Sequence, residues 1–186
     1  TGHLREEPRE TIRHSVGASA EHAVVFCGSC ATYAIDKLVG VLGLRIPSTL
    51  EDRYELSAKI PAADRPVVFI GPYEHHSNEV SWRESIADVV TIPEAVDGHI
   101  DLAQLEEQLL LFADRPLLIG SFSAASNVTG ITTDVDSVAS LLHKHGALSF
   151  WDYAAAAPYV PIGKGTPKRS ADAAGLAYQD ATFPPP

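Results

Sequence analysis

Short, mostly apolar runs recur along the chain, separated by longer segments with a different pattern. Each run is four to six residues long. This length suits a strand that is buried on both faces of a parallel sheet. The runs predict five strands, over residues 23–26, 67–70, 88–92, 117–122 and 147–151.

The segments between these runs place apolar residues three or four positions apart, as amphipathic helices do. Leu38 and Leu42, for example, fall on the same helical face. Asp101 precedes such a segment and is suited to cap its N-terminus. Helices are predicted over residues 31–44, 102–112 and 135–145, with a short lead-in helix within residues 1–21.

Strands that alternate with helices predict an α/β fold with a doubly wound, mostly parallel sheet and helices on both faces. Residues 1–22 are interpreted as an N-terminal lead-in segment and residues 23–186 as one domain. The stretch over 162–173 is rich in Gly, Lys and Pro and is predicted to be a surface loop.

Charge and composition narrow the possible partners. The 186 residues include 14 basic and 24 acidic side chains, which gives a net charge of −10 and a pI of about 5.1. Because such a surface repels phosphate backbones, no nucleic-acid partner is expected. No apolar run approaches the ~20 residues of a membrane span, so no membrane partner is expected either. Two cysteines and no visible signal peptide favour a cytoplasmic location.

Four of the predicted strands end in clusters of small or polar residues. The clusters are Cys27-Gly28-Ser29-Cys30-Ala31-Thr32, Glu74-His75-His76-Ser77-Asn78, Ser126-Asn127-Val128-Thr129-Gly130 and Asp152-Tyr153-Ala154-Ala155-Ala156-Ala157. In open parallel sheets, ligands bind beyond the carboxyl ends of the strands. Four such clusters at one predicted edge therefore indicate a site.

The first cluster suits a phosphate group. Small residues at a strand-to-helix turn expose backbone N–H groups at the positive end of a helix, and Ser29 and Thr32 add hydroxyl donors. The alternative is an ordinary tight turn in which Thr32 caps the helix.

The same cluster contains the spacing Cys27-x-x-Cys30. At the start of a helix this spacing is typical of a redox pair with a lowered thiolate pKa. It also suits half of a zinc site, with His75 and His76 as the other ligands. Because adjacent histidines rarely point at one metal, no metal site is predicted.

Three residues in the other clusters are suited to a planar ligand. The His75 ring can lie flat over such a ligand or simply be solvated in its loop. Asn127 can donate to a phenolate-like oxygen, or belong to a common Asn-x-x-Gly turn. Asp152 ends a buried run before four alanines, so it either faces an open space or caps a helix.

Taken together, these motifs resemble the large domain of the class V aminotransferase and cysteine desulfurase family, enzymes of pyridoxal-phosphate fold type I. The resemblance is carried, in order along most of the chain, by Gly28-Ser29-Cys30-Ala31-Thr32, Glu74-His75-His76-Ser77-Asn78-x-x-x-Trp82, Ser126-Asn127-Val128-Thr129-Gly130 and Asp152-Tyr153-Ala154-Ala155. Residues 23–186 would then be the cofactor-binding large domain.

The resemblance implies a role for each matching residue. The cofactor phosphate would be held by Ser29, Cys30, Ala31 and Thr32. His75 would stack on the pyridine ring, and Asn127 would lie near the 3′-oxygen of that ring. Asp152 would pair with the pyridinium nitrogen and keep it protonated, so that the ring withdraws electrons.

Three departures from the family pattern stand out. Cys30 replaces a second glycine in the phosphate turn, and Ala155 replaces the glutamine of cysteine desulfurases. After residues 178–183 the family continues into Ser-x-His-Lys, whose lysine forms the Schiff base, whereas this chain ends in three prolines. The five lysines present occupy no such motif: Lys37, Lys59, Lys144, Lys164 and Lys168.

The chain is therefore expected to be a fragment of a pyridoxal-phosphate enzyme that acts on an amino acid, as a transferase or a lyase. It has no methionine and begins with Thr1, which also indicates a piece of a longer protein. Without the Schiff-base lysine, we expect weak or absent cofactor binding and no activity, and a homodimeric parent. The alternatives are a thiol–disulfide protein that uses Cys27 and Cys30, and a non-catalytic scaffold of the same fold.

Overall fold

The computed structural model describes residues 3–162, which contain four strands and six α-helices. The strands are β1 (Val67–Ile70), β2 (Asp88–Thr91), β3 (Leu118–Ser123) and β4 (Leu148–Asp152). The helices are α1 (His3–Ser15), α2 (Ala31–Val41), α3 (Ser48–Tyr54), α4 (Val80–Arg83), α5 (Leu102–Leu111) and α6 (Val135–Lys144). Short 3₁₀ turns lie at Ser57–Lys59, Ala62–Asp64 and His76–Asn78.

The described strands form one parallel sheet in the order β2-β1-β3-β4. Phe69 of β1 is paired with Val90 of β2 on one side and with Gly120 of β3 on the other. From β1 the chain first moves outward to β2, and it then returns across β1 to begin β3. The sheet is therefore extended in both directions from β1.

Helices cover both faces of the sheet. Successive residues of a strand point to opposite faces, so each strand packs against helices on both sides. Val68 and Ile70 face α2 and α4, where the Trp82 indole is fully buried. Val67 and Phe69 face α5 and α6 on the other side. The predicted α/β fold, doubly wound with helices on both faces, is confirmed.

Two helices begin where the sequence supplies a side-chain cap. Asp101 accepts hydrogen bonds from the N–H groups of Ala103 and Gln104, each at 3.0 Å, as predicted. Asp134 does the same for the Ser137 N–H at 3.1 Å, ahead of α6. These carboxylates satisfy amide groups that have no partner within the helix.

The strand predicted over residues 23–26 is wrong. That segment has no regular secondary structure, and Val25 and Phe26 are 65% and 54% exposed. The Arg9 guanidinium of α1 lies 5.9 Å from the centre of the Phe26 ring. A strand needs a neighbouring edge to pair with, and a run of four apolar residues does not show whether one is present. Cys27 therefore does not follow a strand.

Other element boundaries also differ from the prediction. The helix predicted over 31–44 ends at Val41, ahead of Gly43 with φ of +70°. No element was predicted where α3 forms. The loop predicted over 162–173 lies outside the described residues except for Ile162, and the boundary at residue 22 stays a prediction.

Candidate functional site

The carboxyl ends of β1 and β3 are neighbours, and the chain leaves them toward opposite faces of the sheet. After β1 it enters the His76–Asn78 turn and α4, on the face covered by α2. After β3 it continues to α6, on the other face. In open parallel sheets such a divergence forms the crevice in which ligands bind.

A cavity of about 320 Å³ opens at this edge. Its walls come from four separate segments: Cys30, Ala31 and Thr32; His75 and Ser77; Ser123, Ala125 and Asn127; and Asp152, Ala154 and Ala155. The volume lies at the lower end of the range for small-molecule sites. The fold thus brings together Thr32, His75, Asn127 and Asp152, whereas Ser29 is exposed and is not among the lining residues.

The N-terminus of α2 forms one wall of the cavity. Gly28 has φ of +58°, and a Cβ there would lie 2.5 Å from the Tyr33 ring, so this turn requires glycine. Cys30, and not Thr32, is the residue that precedes the first helical turn, and its side chain makes no capping hydrogen bond. The N–H groups of Ala31 and Thr32 are thus available to an anion, whereas the Tyr33 N–H donates to the Cys30 carbonyl at 3.1 Å.

The Cys30 thiol lies beside donor groups at the start of α2. The Thr32 hydroxyl, followed by the Tyr33 backbone N–H, lowers the pKa of the Cys30 thiol below its usual value. Cys30 is exposed and Cys27 is half-buried, and both are free thiols. The groups that stabilise a thiolate here are the same kinds of donor that a phosphate requires.

Ser77 holds the His75 ring through the ring nitrogen Nδ1. Its Nδ1 accepts a hydrogen bond from the Ser77 N–H at 3.2 Å and lies 2.7 Å from the Ser77 hydroxyl oxygen. It thereby caps the short His76–Asn78 turn. Because Nδ1 accepts, the neutral ring carries its proton on Nε2. The next histidine, His76, meets it edge-on with ring centres 5.9 Å apart.

Asp152 lines the cavity at the end of β4. Its Oδ1 accepts a hydrogen bond from the Ala154 N–H at 2.8 Å, which fixes the turn that follows the strand. A second cavity of about 330 Å³ lies between α2 and this turn and shares Ala31, Asp152 and Ala154 with the first. Ala31 and Ala154, which line both cavities together with Asp152, have small side chains that leave space there.

Asn127 lies in a tight turn after β3. The Ser126 hydroxyl accepts hydrogen bonds from the N–H groups of Val128 at 3.3 Å and Thr129 at 3.2 Å, and Gly130 closes the turn with φ of +74°. The Asn127 side chain is exposed at the cavity rim. Asn127 is therefore part of a turn and also lines the cavity, and its donation to a phenolate-like oxygen stays a prediction.

Ser123 and Ala125 also line the cavity, although the sequence did not single them out. They follow the apolar part of β3, and no local pattern distinguishes them from ordinary strand residues. Their position at the strand end, next to Asn127, is the signal that could have found them.

The described residues bear on two other kinds of site. Within residues 3–162 no three His, Cys, Asp or Glu side chains come together as a metal site. In the same range no helix is long and apolar enough to cross a membrane.

The fold is that of the α/β proteins of pyridoxal-phosphate fold type I, as a comparison with solved structures shows. An apo cysteine desulfurase from Thermococcus onnurineus superposes with a TM-score of 0.61 at 20% identity, covering 86% of this chain and 35% of that one. Mouse CSAD gives a TM-score of 0.62 at 19% identity, covering 82% and 32% of the two chains.

The sequence comparison identifies the family. The aminotransferase class-V model matches residues 1–164, so the chain belongs to that family, whose members are pyridoxal-phosphate-dependent and act on amino-acid substrates. A probable cysteine desulfurase of Halalkalibacterium halodurans is 27% identical over 161 residues, which are 84% of this chain and 35% of that protein. A second, from Mycobacterium leprae, is 26% identical over 163 residues, which are 84% of this chain and 23% of that protein. The chain spans about a quarter to a third of these relatives.

Proposed function

We propose that this chain is the cofactor-binding part of a pyridoxal-phosphate enzyme that acts on an amino acid. The observation that carries the proposal is the convergence of Thr32, His75, Asn127 and Asp152 on one cavity at the carboxyl edge of the sheet. Relatives named as probable cysteine desulfurases support a transferase or a carbon–sulfur lyase as the parent. The replacement of glutamine by Ala155 favours a reaction other than desulfuration.

The phosphate group would bind at the start of α2. Backbone N–H groups near Ala31 and Thr32 point out of the helix at its positive end, and the Thr32 hydroxyl adds a donor. Ser29 lies outside the cavity lining and would contact only the outer side of the anion. Cys30 would contribute its backbone and a thiol beside the phosphate oxygens.

The ring would lie between His75 and Asp152. His75 presents a fixed imidazole for stacking, and Asn127 would donate to the 3′-oxygen. Asp152 would hold a proton on the ring nitrogen through a charge-assisted hydrogen bond. When bound, pyridoxal phosphate supplies the electron sink for the substrate carbon.

We further propose that residues 1–186 alone bind this cofactor weakly and do not turn over substrate. No lysine of the chain lies in a Ser-x-His-Lys motif. Of the three lysines that the structure describes, Lys37, Lys59 and Lys144 are exposed, and none of them lines the cavity. The parent enzyme, by its family, would act as a homodimer.

Pyridoxamine 5′-phosphate is a suitable test ligand, because it has no aldehyde and cannot form adducts with surface lysines. Calorimetric titration should give weak, saturable binding of one molecule per chain, with sulfate as a competitor and pyridoxamine as a poorer ligand. Asp152→Asn keeps the acceptor for Ala154 but removes the charge. It should weaken binding about tenfold or more, given ~1.5–3 kcal/mol for a hydrogen bond to a charged group.

The matched control is Asp114→Asn, an exposed position outside the cavity, which should bind as the wild type does. An absence of saturable binding would favour the scaffold interpretation. Equal affinity of the wild type and Asp152→Asn would remove Asp152 from the site. Borohydride reduction with pyridoxal phosphate, followed by mass spectrometry, tests activity: a stoichiometric adduct at one lysine together with amino-acid turnover would contradict the predicted inactivity.

A further inference from the structure

Glu74 has no role in the site described so far, although its carboxylate accepts four hydrogen bonds, two of them from the cavity-lining residue Ser123. Oε1 accepts hydrogen bonds from the N–H groups of Gly71 at 3.1 Å and Ser123 at 3.0 Å. Oε2 accepts from the Ser123 hydroxyl at 2.6 Å and from the Asn78 amide at 2.8 Å. One carboxylate thus connects the loop after β1 to the end of β3.

Asn78 extends this connection into the core. Its amide also donates to the Ser121 carbonyl at 3.2 Å, and its Oδ1 accepts from the Ser121 hydroxyl at 2.6 Å. The Trp82 indole N–H donates to the same hydroxyl at 3.0 Å. We call these five residues, Glu74, Asn78, Ser121, Ser123 and Trp82, the Glu74 network.

The surrounding structure is fitted to this carboxylate. A Cβ at Gly71 would lie 2.6 Å from Glu74 Oε1, so a larger residue there would displace this carboxylate oxygen. Burial raises the pKa of the Glu74 carboxyl even though four donors surround it. Burial thus disfavours the charged form of this carboxyl. Groups whose pKa is shifted in this way are frequent at functional sites.

Residues of the Glu74 network lie on both sides of His75 in the chain. Glu74 precedes it and Asn78 ends the turn that it caps, while Ser77 between them holds the ring nitrogen. On the far side of the network, Ser123 is the register partner of Asp152. The two proposed ring contacts, His75 and Asp152, are thus joined through Glu74 and Ser123.

We propose that Glu74 and Asn78 are positioning residues of the cofactor site, which hold the His75 ring over the cavity at a fixed distance from Asp152. This inference rests on the proposed function. The two residues would act through His75 and the β3 end, and not by touching the ligand.

The test compares the wild type with Glu74→Gln in two measurements. The first is hydrogen exchange of the backbone amides. Gln keeps the shape but turns one acceptor into a donor that faces the Asn78 amide. Exchange over residues 72–78 should accelerate about tenfold or more, while β1 and α5 stay unchanged. Glu84→Gln, an exposed glutamate outside the network, is the control and should change nothing.

The second measurement is the binding of pyridoxamine 5′-phosphate and of sulfate. Glu74→Gln should lower the affinity for pyridoxamine 5′-phosphate about two- to tenfold, as expected for a misplaced stacking ring, and reduce the circular dichroism induced in its absorption band. Affinity for sulfate should stay the same, because the start of α2 is not part of the network. A general loss of structure would instead weaken both ligands.

The outcomes separate the inference from the proposed function. If the wild type does not bind pyridoxamine 5′-phosphate, the proposed function fails, and the cofactor role of Glu74 fails with it. If the wild type binds and Glu74→Gln binds equally well with the same dichroism, only the positioning role is overturned. Unchanged exchange over residues 72–78 would show that Glu74 does not hold the turn. If Glu74→Gln does not fold, Ser123→Ala replaces it in the test, because it removes one hydrogen-bond donor to Glu74. Hydrogen exchange of the same amides should then accelerate, and unchanged exchange would overturn the inference.

Discussion

Ser123 and Asp152 are paired with each other at the carboxyl ends of β3 and β4, and both residues line the cavity. Ser123 donates its N–H and its hydroxyl to Glu74, and Asp152 accepts from the Ala154 N–H. Beyond the pair, the Ala124 N–H donates to the Asp152 carbonyl at 2.9 Å. The part of the cavity wall formed by Ser123 and Asp152 is thus held by backbone pairing between β3 and β4.

Substitutions at His75 should separate stacking from capping. His75→Asn retains an acceptor for the Ser77 N–H but lacks the ring, so affinity for pyridoxamine 5′-phosphate should fall about two- to tenfold. His75→Phe loses the cap but keeps an aromatic face, and its affinity should stay closer to that of the wild type. Calorimetric titration measures both.

The neighbouring histidine is the control for this pair. His76 is exposed and does not line the cavity, so His76→Asn should leave the affinity unchanged. An equal loss of affinity in His76→Asn and His75→Asn would show that neither ring stacks on the ligand.

Cys30 should react with iodoacetamide faster than Cys27 at neutral pH. It is exposed, and the Thr32 hydroxyl and the Tyr33 N–H lower the pKa of its thiol. Thr32→Ala removes the first of these donors and should slow the labelling of Cys30, whereas Thr49→Ala in the exposed part of α3 should not. Labelling rates of each thiol follow from peptide mass spectrometry. Equal, slow labelling of both thiols would contradict the prediction.

Glu74 should make stability depend on pH with a definite sign. Burial raises the pKa of its carboxyl above the ordinary value of 4.5 in the folded state. The stability that this group contributes is complete below the unfolded-state pKa and is lost as the pH rises through the folded-state pKa. The free energy of unfolding of the wild type minus that of Glu74→Gln should therefore fall as the pH rises above the ordinary carboxyl pKa of 4.5.

Urea unfolding of both proteins at a series of pH values measures the difference. Carboxyl groups whose pKa is lowered, such as those of Glu51, Glu106 and Asp134, are common to both proteins and cancel in it. A difference that increases with pH would mean that hydrogen bonding outweighs burial at Glu74.

Two glycine substitutions should have opposite effects on stability. A Cβ at Gly120 would overlap the Leu142 side chain, so Gly120→Ala should lower the free energy of unfolding by about 1–3 kcal/mol. A Cβ at Gly40 in α2 would have nothing within 4 Å, and Gly40→Ala should raise the free energy of unfolding by about 0.5–1 kcal/mol. Denaturant unfolding measures both, and equal effects would contradict the packing of α6 on β3.

The amino-acid sequence by itself determined the elements whose signal is local. Four mostly apolar runs predict the four strands because a strand covered on both faces is apolar at most of its positions. Asp101 marks the start of α5 because a cap needs only amides two or three residues away. Since parallel strands end at one edge, the same pattern also predicted that His75, Asn127 and Asp152 would meet. Thr32 joins them at the cavity although the strand predicted before it does not form, and the roles of all four residues stay predictions.

The tertiary structure alone decided which apolar run finds a partner and which polar groups meet across the sheet. Residues 23–26 look like a strand, but pairing requires a free edge beside them, which no local pattern encodes. Glu74 and Ser123 are 49 residues apart, and each looks ordinary in its own segment. They meet because β1 and β3 are neighbours in the sheet, an order fixed by the packing of helices on both faces rather than by either segment.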